Sequence, residues 1–410
     1  MNVDKQKLLF LFLSLLLLNN LYAQKHIIPG AERTSVYFPL LKGKSVAVFA
    51  NQTSMVGSSH LIDTLVNSGI KVVAIFGPEH GFSGSADAGE KVGNQTYKNT
   101  GIRVISLYGE HYKPSKEDLE NVDVMIYDIQ DVGVRFYTFI SSLHYYIESS
   151  LENSKPLLIL DRPNPNGFYV DGPVLDLKFK SFVGMDPVPI VYGLTIGEYA
   201  MMVSGEKWMS EKANEKYSYY LHAKNSIDTS FHFLVIKCSN YDHNSKYVLP
   251  VKPSPNLPEI QSIYWYPSTC LFEGTILSEG RGTEKPFEIF GHPLLPNNLF
   301  SFTPKSTDGA KDPKLKNQLC YGWNVSGTQK EVLGKIGNQI QLNWLINAYH
   351  LFPDKEHFFI ERGFNRLAGN DILIKQIKEG KTEAEIKSSW DPGLKKYKMI
   401  RKKYLLYKDF

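Results

Sequence analysis

Val122-Asp123-Val124-Met125-Ile126-Tyr127, followed at once by Asp128-Ile129-Gln130-Asp131, is the stretch that decides the fold class. A short apolar run ended by carboxylates and an amide suits a strand covered on both faces. A parallel sheet flanked by helices has such strands, because burial on each side removes the usual alternation of apolar and polar residues. The same pattern recurs on either side. Residues 45–50 lead into Asn51-Gln52-Thr53-Ser54, and residues 71–76 into Gly77-Pro78-Glu79-His80-Gly81. Residues 156–160 lead into Asp161-Arg162-Pro163-Asn164-Pro165-Asn166-Gly167, and residues 103–107 read as one more strand. Between them, residues 59–68 place Leu61, Leu65 and Val66 at helical spacing, and residues 136–151 do the same with Phe139, Leu143, Tyr146 and Ile147. Strand and helix alternate, which predicts a doubly wound α/β domain. Ligands of such sheets bind beyond the carboxyl ends of the strands, and that is where the polar clusters fall.

The length of 410 residues favours a large domain and a smaller one. The texture changes at Lys252-Pro253-Ser254-Pro255-Asn256-Leu257-Pro258, which can continue neither a helix nor a central strand. The expected division is an export signal at 1–23, an α/β domain at 24–258, and a smaller α+β domain at 259–410 that completes a cleft. In the second part, residues 336–350 and 384–390 read as helices. Residues 395–408 form a basic amphipathic end with Tyr397, Ile400, Tyr404 and Leu405 on one face, which suits a docked terminal helix. At the N-terminus, Lys5 and Lys7 precede an apolar run over 8–18, and Leu21-Tyr22-Ala23 offers a small residue before Gln24. That order is a secretory signal, so the protein is expected outside the cytoplasm, periplasmic or secreted. The apolar run is short for a bilayer span, and no stable membrane insertion is expected. With 46 basic and 42 acidic side chains the formal charge is +4, too small for this length to suggest a nucleic-acid partner. The three cysteines, Cys238, Cys270 and Cys320, allow at most one disulfide and read as small core residues.

Glu79 is the first candidate for chemistry. It follows a buried strand directly, and the Pro and Gly around it fix a turn that a ligand can approach closely. A partly desolvated carboxyl at such a place tends toward a general acid. The run from Asp128 to Tyr137 packs two carboxylates, an amide, a guanidinium and a phenol into one strand-to-helix loop. Asp128 and Asp131 suit sugar hydroxyls or a water. Arg135 suits a bidentate pair with a substrate carboxylate, or with an aspartate of its own chain. Asp161 and Arg162 either meet a ligand or pair with each other, and Tyr192 offers a phenol. In the second part, the run from Glu273 to Glu284 combines three carboxylates, three glycines and Arg281 in a loop suited to close over the cleft, with Asn256 beside it. No cofactor is expected. Gly77, Gly81 and Gly84 do not form a dinucleotide-binding fingerprint, and there is no phosphate-binding loop, HExxH or GxSxG sequence. A metal held by Glu79, His80, Asp128, Asp131 and His144 stays the weaker alternative.

Taken together, Gly77-Pro78-Glu79-His80-Gly81, the run from Tyr127 to Thr138, Leu160-Asp161-Arg162-Pro163-Asn164-Pro165 and Glu279-Gly280-Arg281-Gly282-Thr283 resemble the exo-β-N-acetylmuramidases of the NamZ type. The resemblance runs from about Val36 to the C-terminus and includes Arg366-Leu367-Ala368-Gly369 and Tyr404-Leu405-Leu406-Tyr407. It implies a Rossmann-like domain followed by a smaller C-terminal domain, with the cleft between them. It implies release of N-acetylmuramic acid from the non-reducing end of peptidoglycan fragments, with Glu79 as the central catalytic residue. Asp128, Asp131, Glu284 or the substrate's own acetamido group remain open as the second group. His80, Gln130, Arg135, Tyr137, Arg162, Asn164, Tyr192, Asn256, Arg281 and Glu284 are the expected substrate contacts. One of the three arginines is expected to read the lactyl carboxylate of muramic acid. The competing classes are a metal-dependent hydrolase of an ester or amide and a non-catalytic wall-binding protein.

Overall fold

A computed structural model describes residues 26–87, 89–223 and 233–410. The expected export signal therefore lies outside the described residues. Seven strands form the main sheet: β1 (Ser45–Ala50), β2 (Lys71–Gly77), β3 (Gln95–Tyr97), β4 (Ile102–Ser106), β5 (Val124–Asp128), β6 (Leu157–Leu160) and β7 (Phe233–Ile236). Their spatial order is β3-β4-β2-β1-β5-β6-β7. Every neighbouring pair is parallel except β3 against β4 at one edge.

The central strands are buried on both faces, and their residues alternate between two cores. Ala47, Phe49, Ala74, Phe76, Met125, Tyr127, Leu157 and Ile159 face one layer. Val46, Val48, Ala50, Val72, Ile75, Val124, Ile126, Leu158 and Leu160 face the other. The register keeps like with like: Phe49 sits opposite Tyr127, and their rings stack at 5.1 Å. Helices α1 (Thr34–Leu41) and α2 (Leu61–Asn67) cover the second face through Tyr37, Leu41, Leu61, Ile62 and Leu65. Helices α3 (Phe139–Glu152) and α4 (Ile196–Gly205) cover the first through Leu143, Ile147, Tyr199 and Met202. Sheet and helices thus form the α/β sandwich that the apolar runs require.

Beyond the proline-rich crossing, α6 (Ile260–Thr269), which follows α5 (Glu211–Ala223), leads into a three-stranded antiparallel sheet. That sheet comprises β8 (Ile289–His292), β9 (Phe300–Phe302) and β10 (Cys320–Asn324), with β10 in the middle. One of its faces, with Phe290, Tyr321 and Trp323, packs into the core of the first layer, and the other, with Ile289, Phe302 and Cys320, forms a small separate cluster. Of the stretch expected to be helical over 336–350, only α8 (Asn343–Leu351) forms a helix, and α7 (Gln329–Ile336) ends where that stretch begins. Gly337 and Asn338 both take positive φ, 54° and 57°, which stops the first helix in a left-handed cap. Four more helices follow, ending in α12 (Asp391–Arg401), whose Tyr397 hydroxyl donates to Tyr192 O at 2.7 Å. The amphipathic end is docked: Tyr407 donates to Asp161 at 2.5 Å, and Leu406 N–H donates to Glu198 at 2.8 Å. All three cysteines are buried and unpaired. Among the described residues no helix is long and apolar enough to cross a membrane.

Arg135 corrects a sequence expectation here. Its guanidinium is fully buried, away from any cleft. It donates to Pro173 O, Val188 O and Leu367 O, each at 2.8 Å, and so joins the first part of the chain to the second. Gly369, at φ 78°, has to be glycine, since a Cβ there would meet Arg135 Nη2 at 2.5 Å. Burial pulls the Arg135 pKa down to about 9. Arg135→Ala would leave the buried carbonyls of Pro173 and Leu367 without a donor, while Val188 O keeps Leu175 N–H at 3.1 Å. The expected loss of stability is about 3 kcal/mol or more, read as a lower urea midpoint at unchanged slope. A loss below about 1 kcal/mol would show that water takes over the three bonds.

Candidate active site

Glu79 is delivered by the end of β2. Gly77 closes the strand, Pro78 turns the chain, and His80 takes φ 67°, held there by Nδ1 against Ala86 O at 2.7 Å. Glu79 is partly exposed. Its Oε2 accepts from the Thr138 hydroxyl at 2.6 Å, and its Oε1 accepts from Gly89 N–H at 3.0 Å. Thr138 is the N-cap residue of α3 but does not cap it, because its hydroxyl is engaged by Glu79. The carboxylate is thereby held at the junction of a strand end, a helix start and the 80–90 loop.

One cleft gathers residues from three parts of the chain. Glu79, His80, Tyr137 and Thr138 come from the sheet edge, Ser254 and Asn256 from the proline-rich crossing, and Tyr266, Glu273, Arg281 and Phe287 from the second part. The crossing is tied down by Tyr137, whose hydroxyl donates to Pro253 O at 2.8 Å, and by Gln52, which donates to the same oxygen at 3.1 Å. Asn256 donates to Gly309 O at 2.8 Å. The floor is apolar: Phe136, Tyr137, Tyr266 and Phe287 are all buried.

Arg281 faces this cleft between two carboxylates. Its Nη2 lies 2.5 Å from Glu273 Oε1, its Nε lies 3.3 Å from Glu279 Oε1, and its guanidinium covers the Phe287 ring at 5.0 Å. The two carboxylates push its pKa up despite burial. Among the described residues its Nη1 makes no hydrogen bond, so one edge of the fork is left for a ligand. Glu279 is in turn met by Lys314, whose ammonium lies 3.2 Å away. That ammonium also donates to the carbonyls of Phe272, Glu273, Thr275 and Leu277.

Several expected site residues lie elsewhere, each for a physical reason. Asp128 and Arg162 pair with each other, Nε to Oδ1 at 2.6 Å and Nη2 to Oδ2 at 2.8 Å, both buried. Arg162 Nη2 also donates to Met55 O at 3.0 Å, so the pair bolts two strand ends together. A buried charge needs a partner, and these two are each other's. Asp131 accepts from Gly133 N–H at 2.6 Å and from the Tyr192 hydroxyl, which removes both Asp131 and Tyr192 from the cleft. Gln130 donates to Asp131 O and Pro163 O, and Asn164 donates to Leu194 O. Glu284 is exposed and does not line the cleft. His144 is buried between Asp186 at 3.0 Å and Glu148 at 3.3 Å. Among the described residues no group of three or more His, Cys, Asp or Glu side chains is arranged to hold a metal ion.

Two family models cover almost all of this structure. Residues 46–261 match the N-terminal model of the exo-β-N-acetylmuramidase NamZ, and residues 264–407 match its C-terminal model. The chain belongs to the NamZ family. It is 37% identical over 394 residues, 90% of this chain and 89% of the other, to the peptidoglycan β-N-acetylmuramidase NamZ of Bacillus subtilis. Two crystal structures of DUF1343 family proteins from Bacteroides fragilis share the fold. One superposes with a TM-score of 0.83 at 45% identity over 94% of this chain and all of that one. The other gives 0.74 at 26% identity over 93% and 99%.

Sequence reasoning named Glu79, His80, Tyr137, Asn256 and Arg281 of this NamZ-family cleft, and among its polar lining it left out Thr138, Ser254, Tyr266 and Glu273. Glu273 did carry a signal, since it opens the same acidic run as Glu279 and Glu284. It is set apart by the 3₁₀ turn Cys270–Gly274 that extends α6 into the cleft.

Asp131 makes a pH prediction. Burial holds its proton up to about pH 7, against about 4 in an unfolded chain. Between these values the folded form binds more protons, so the contribution of Asp131 to stability is present at low pH and lost as the pH rises through 7. Urea midpoints from pH 4 to 8 are expected to fall more steeply for the wild type than for Asp131→Asn. Equal slopes would mean that another group carries the dependence.

Proposed function

We propose that this protein is an exported, exo-acting glycoside hydrolase. It releases N-acetylmuramic acid from the non-reducing end of peptidoglycan fragments such as the MurNAc-GlcNAc disaccharide, in cell-wall turnover and recycling. The observation that carries the reading is the convergence of Glu79, Glu273 and Arg281 on one cleft in a chain of the NamZ family. The N-terminal run behind Lys5 and Lys7 supports export.

Glycosidic cleavage needs a proton on the leaving oxygen and a carboxylate near the oxocarbenium-like centre. Glu79 supplies the proton. It is partly exposed, and the partners of its carboxyl are neutral donors, so no ion pair holds it away from a substrate oxygen. Glu273 supplies the second carboxylate, a role that Asp128, Asp131 and Glu284 cannot fill from where they lie. Its bond to Arg281 fixes the orientation of one oxygen and leaves the other for the sugar or for a water. The buried aromatic floor excludes solvent and takes the apolar face of the ring. Arg281 is the one arginine of the three candidates that reaches the cleft, and its unused Nη1 reads the lactyl carboxylate that distinguishes muramic acid.

The test is release of free N-acetylmuramic acid from MurNAc-GlcNAc. Glu79→Gln is expected to lower kcat/KM by about 10²–10⁴-fold, and Glu273→Gln by a comparable factor. Undiminished release by Glu79→Gln would remove Glu79 as the acid. No release by the wild type, with chelator-sensitive cleavage of another wall bond, would overturn the glycosidase reading itself. Arg281→Ala should erode the preference for the muramic acid compound over the matching N-acetylglucosaminide by about tenfold or more. An unchanged preference would assign carboxylate recognition elsewhere.

A further inference from the structure

Glu79 has a counterpart on the neighbouring strand. Gly77 of β2 pairs in register with Ser106 of β4, and Leu107 N–H donates to Gly77 O at 2.9 Å. Each chain runs two residues past that pair, one to Glu79 and the other to Tyr108. The two residues are neighbours at the sheet edge: burial, and then the nearby Glu79 carboxylate, push the pKa of the Tyr108 hydroxyl up.

Tyr108 is one of three grouped rings. Its centroid lies 5.9 Å from that of Tyr112 and 5.6 Å from that of Phe182, and Tyr112 and Phe182 are 4.4 Å apart. Tyr145, from α3, backs Tyr112 in a stacked arrangement at 6.1 Å. Tyr108, Tyr112 and Phe182 are all partly exposed, and none is a ring of the hydrophobic core. They do not line the cleft either. Its lining on this side ends at Val183, the residue after Phe182. The three rings therefore stand just outside the rim, beside the acid.

This position has a chemical meaning if the cleft holds the muramic acid ring. A general acid protonates the oxygen that bridges two sugars, so it touches both sides of the breaking bond. The sugar on the leaving side then lies within one ring's width of Glu79, on the solvent side of the rim. A pyranose presents a face of C–H groups, and aromatic rings are the side chains that bind such a face. We propose that Tyr108, Tyr112 and Phe182 form the platform for the leaving sugar, an N-acetylglucosamine-type pyranose bound by stacking. Tyr108 joins the two halves of the site by standing beside the acid, two residues past the register pair Gly77–Ser106. The inference rests on the muramidase reading of the cleft.

Two substrates separate the platform from the cleft: MurNAc-GlcNAc, and methyl β-N-acetylmuramide, whose leaving group is too small to stack. Both release an alcohol that needs protonation, so both depend on Glu79. The variants are Tyr112→Ala and Phe182→Leu, the second keeping an apolar side chain so that the loop stays packed. Thermal melting checks the fold of each. Relative to wild type, the ratio of kcat/KM for the disaccharide to that for the methyl glycoside is expected to fall about tenfold in each variant, mainly through KM. A ratio within about twofold of wild type in the folded variants, whatever happens to the two rates separately, would overturn the platform. Wild-type inactivity on both substrates would instead overturn the muramidase reading, and the platform with it.

Discussion

Burial of the main sheet on both faces is the constraint on which everything else depends. Alternate residues of β1, β2, β5 and β6 go to two separate cores, so polar side chains stand only at the ends of these strands, as Ser45, Lys71 and Asp128 do. Polar and charged residues are expelled to the strand ends, and the carboxyl ends collect them. The arrangement also brings the start of α3 against the end of β2, where Thr138 meets Glu79. A strand with one wet face would have spread the same residues along its length.

The strand-end residues then divide by solvent access. Where a charge is fully buried it is satisfied within the protein, because the desolvation cost is otherwise several kcal/mol (roughly, for a single ion). Asp128 meets Arg162, and Arg135 meets three carbonyls. Asp161 collects Gly197 N–H, the Thr195 hydroxyl and the Tyr407 hydroxyl. Charges bound in this way are structural members: they fix loops in place, and the capacity that is left, such as Arg135 Nε, is buried. Glu79 differs in being partly exposed and in having neutral donors around it. Arg281 differs in having two carboxylates and an unused edge. In this protein the residues with capacity to spare are the ones at the rim of a cleft.

That division explains how much was legible beforehand. The strands could be read because burial on two faces is a local pattern: residues 45–50, 71–76 and 156–160 differ from β1, β2 and β6 by at most one residue at an end. The helix expected over 336–350 begins only at Asn343, since the pair Gly337-Asn338 is a visible stop that apolar periodicity outweighed. Which strand-end residues face the cleft was not legible, because it depends on partners far along the chain. Arg162 is 34 positions from Asp128, and Arg135 is 232 from Leu367. Nothing in Asp128-Ile129-Gln130-Asp131 tells a carboxylate bound for an internal arginine from one bound for a substrate. Glu273 and Glu284 sit in one acidic run, and only the 3₁₀ turn after α6 separates their fates. The aromatic trio had no signal at all, since its members come from two loops some 70 positions apart (Tyr108 and Phe182).

The position of the cleft follows from what fills the other strand ends. Strand order reverses between β1 and β5, where an open α/β sheet usually forms its ligand crevice. Here that crevice is filled by the protein itself. The Ser54 hydroxyl donates to Asp128 O, Thr53 Oγ1 accepts from Gln130 N–H at 3.0 Å, and Arg162 reaches across to Met55 O. At β6 and β7 the chain's own C-terminus takes the place of a ligand: Tyr407 reaches Asp161 and Cys238 N–H, and Lys408 O accepts from His243 N–H. Of the carboxyl ends, those of β2 and β4 are left, and they carry Glu79 and Tyr108. The second part of the chain approaches that same side and brings Glu273 and Arg281 over it. The filled crevice thus leaves the cleft at one flank of the sheet, floored by the buried rings of Phe136, Tyr137, Tyr266 and Phe287.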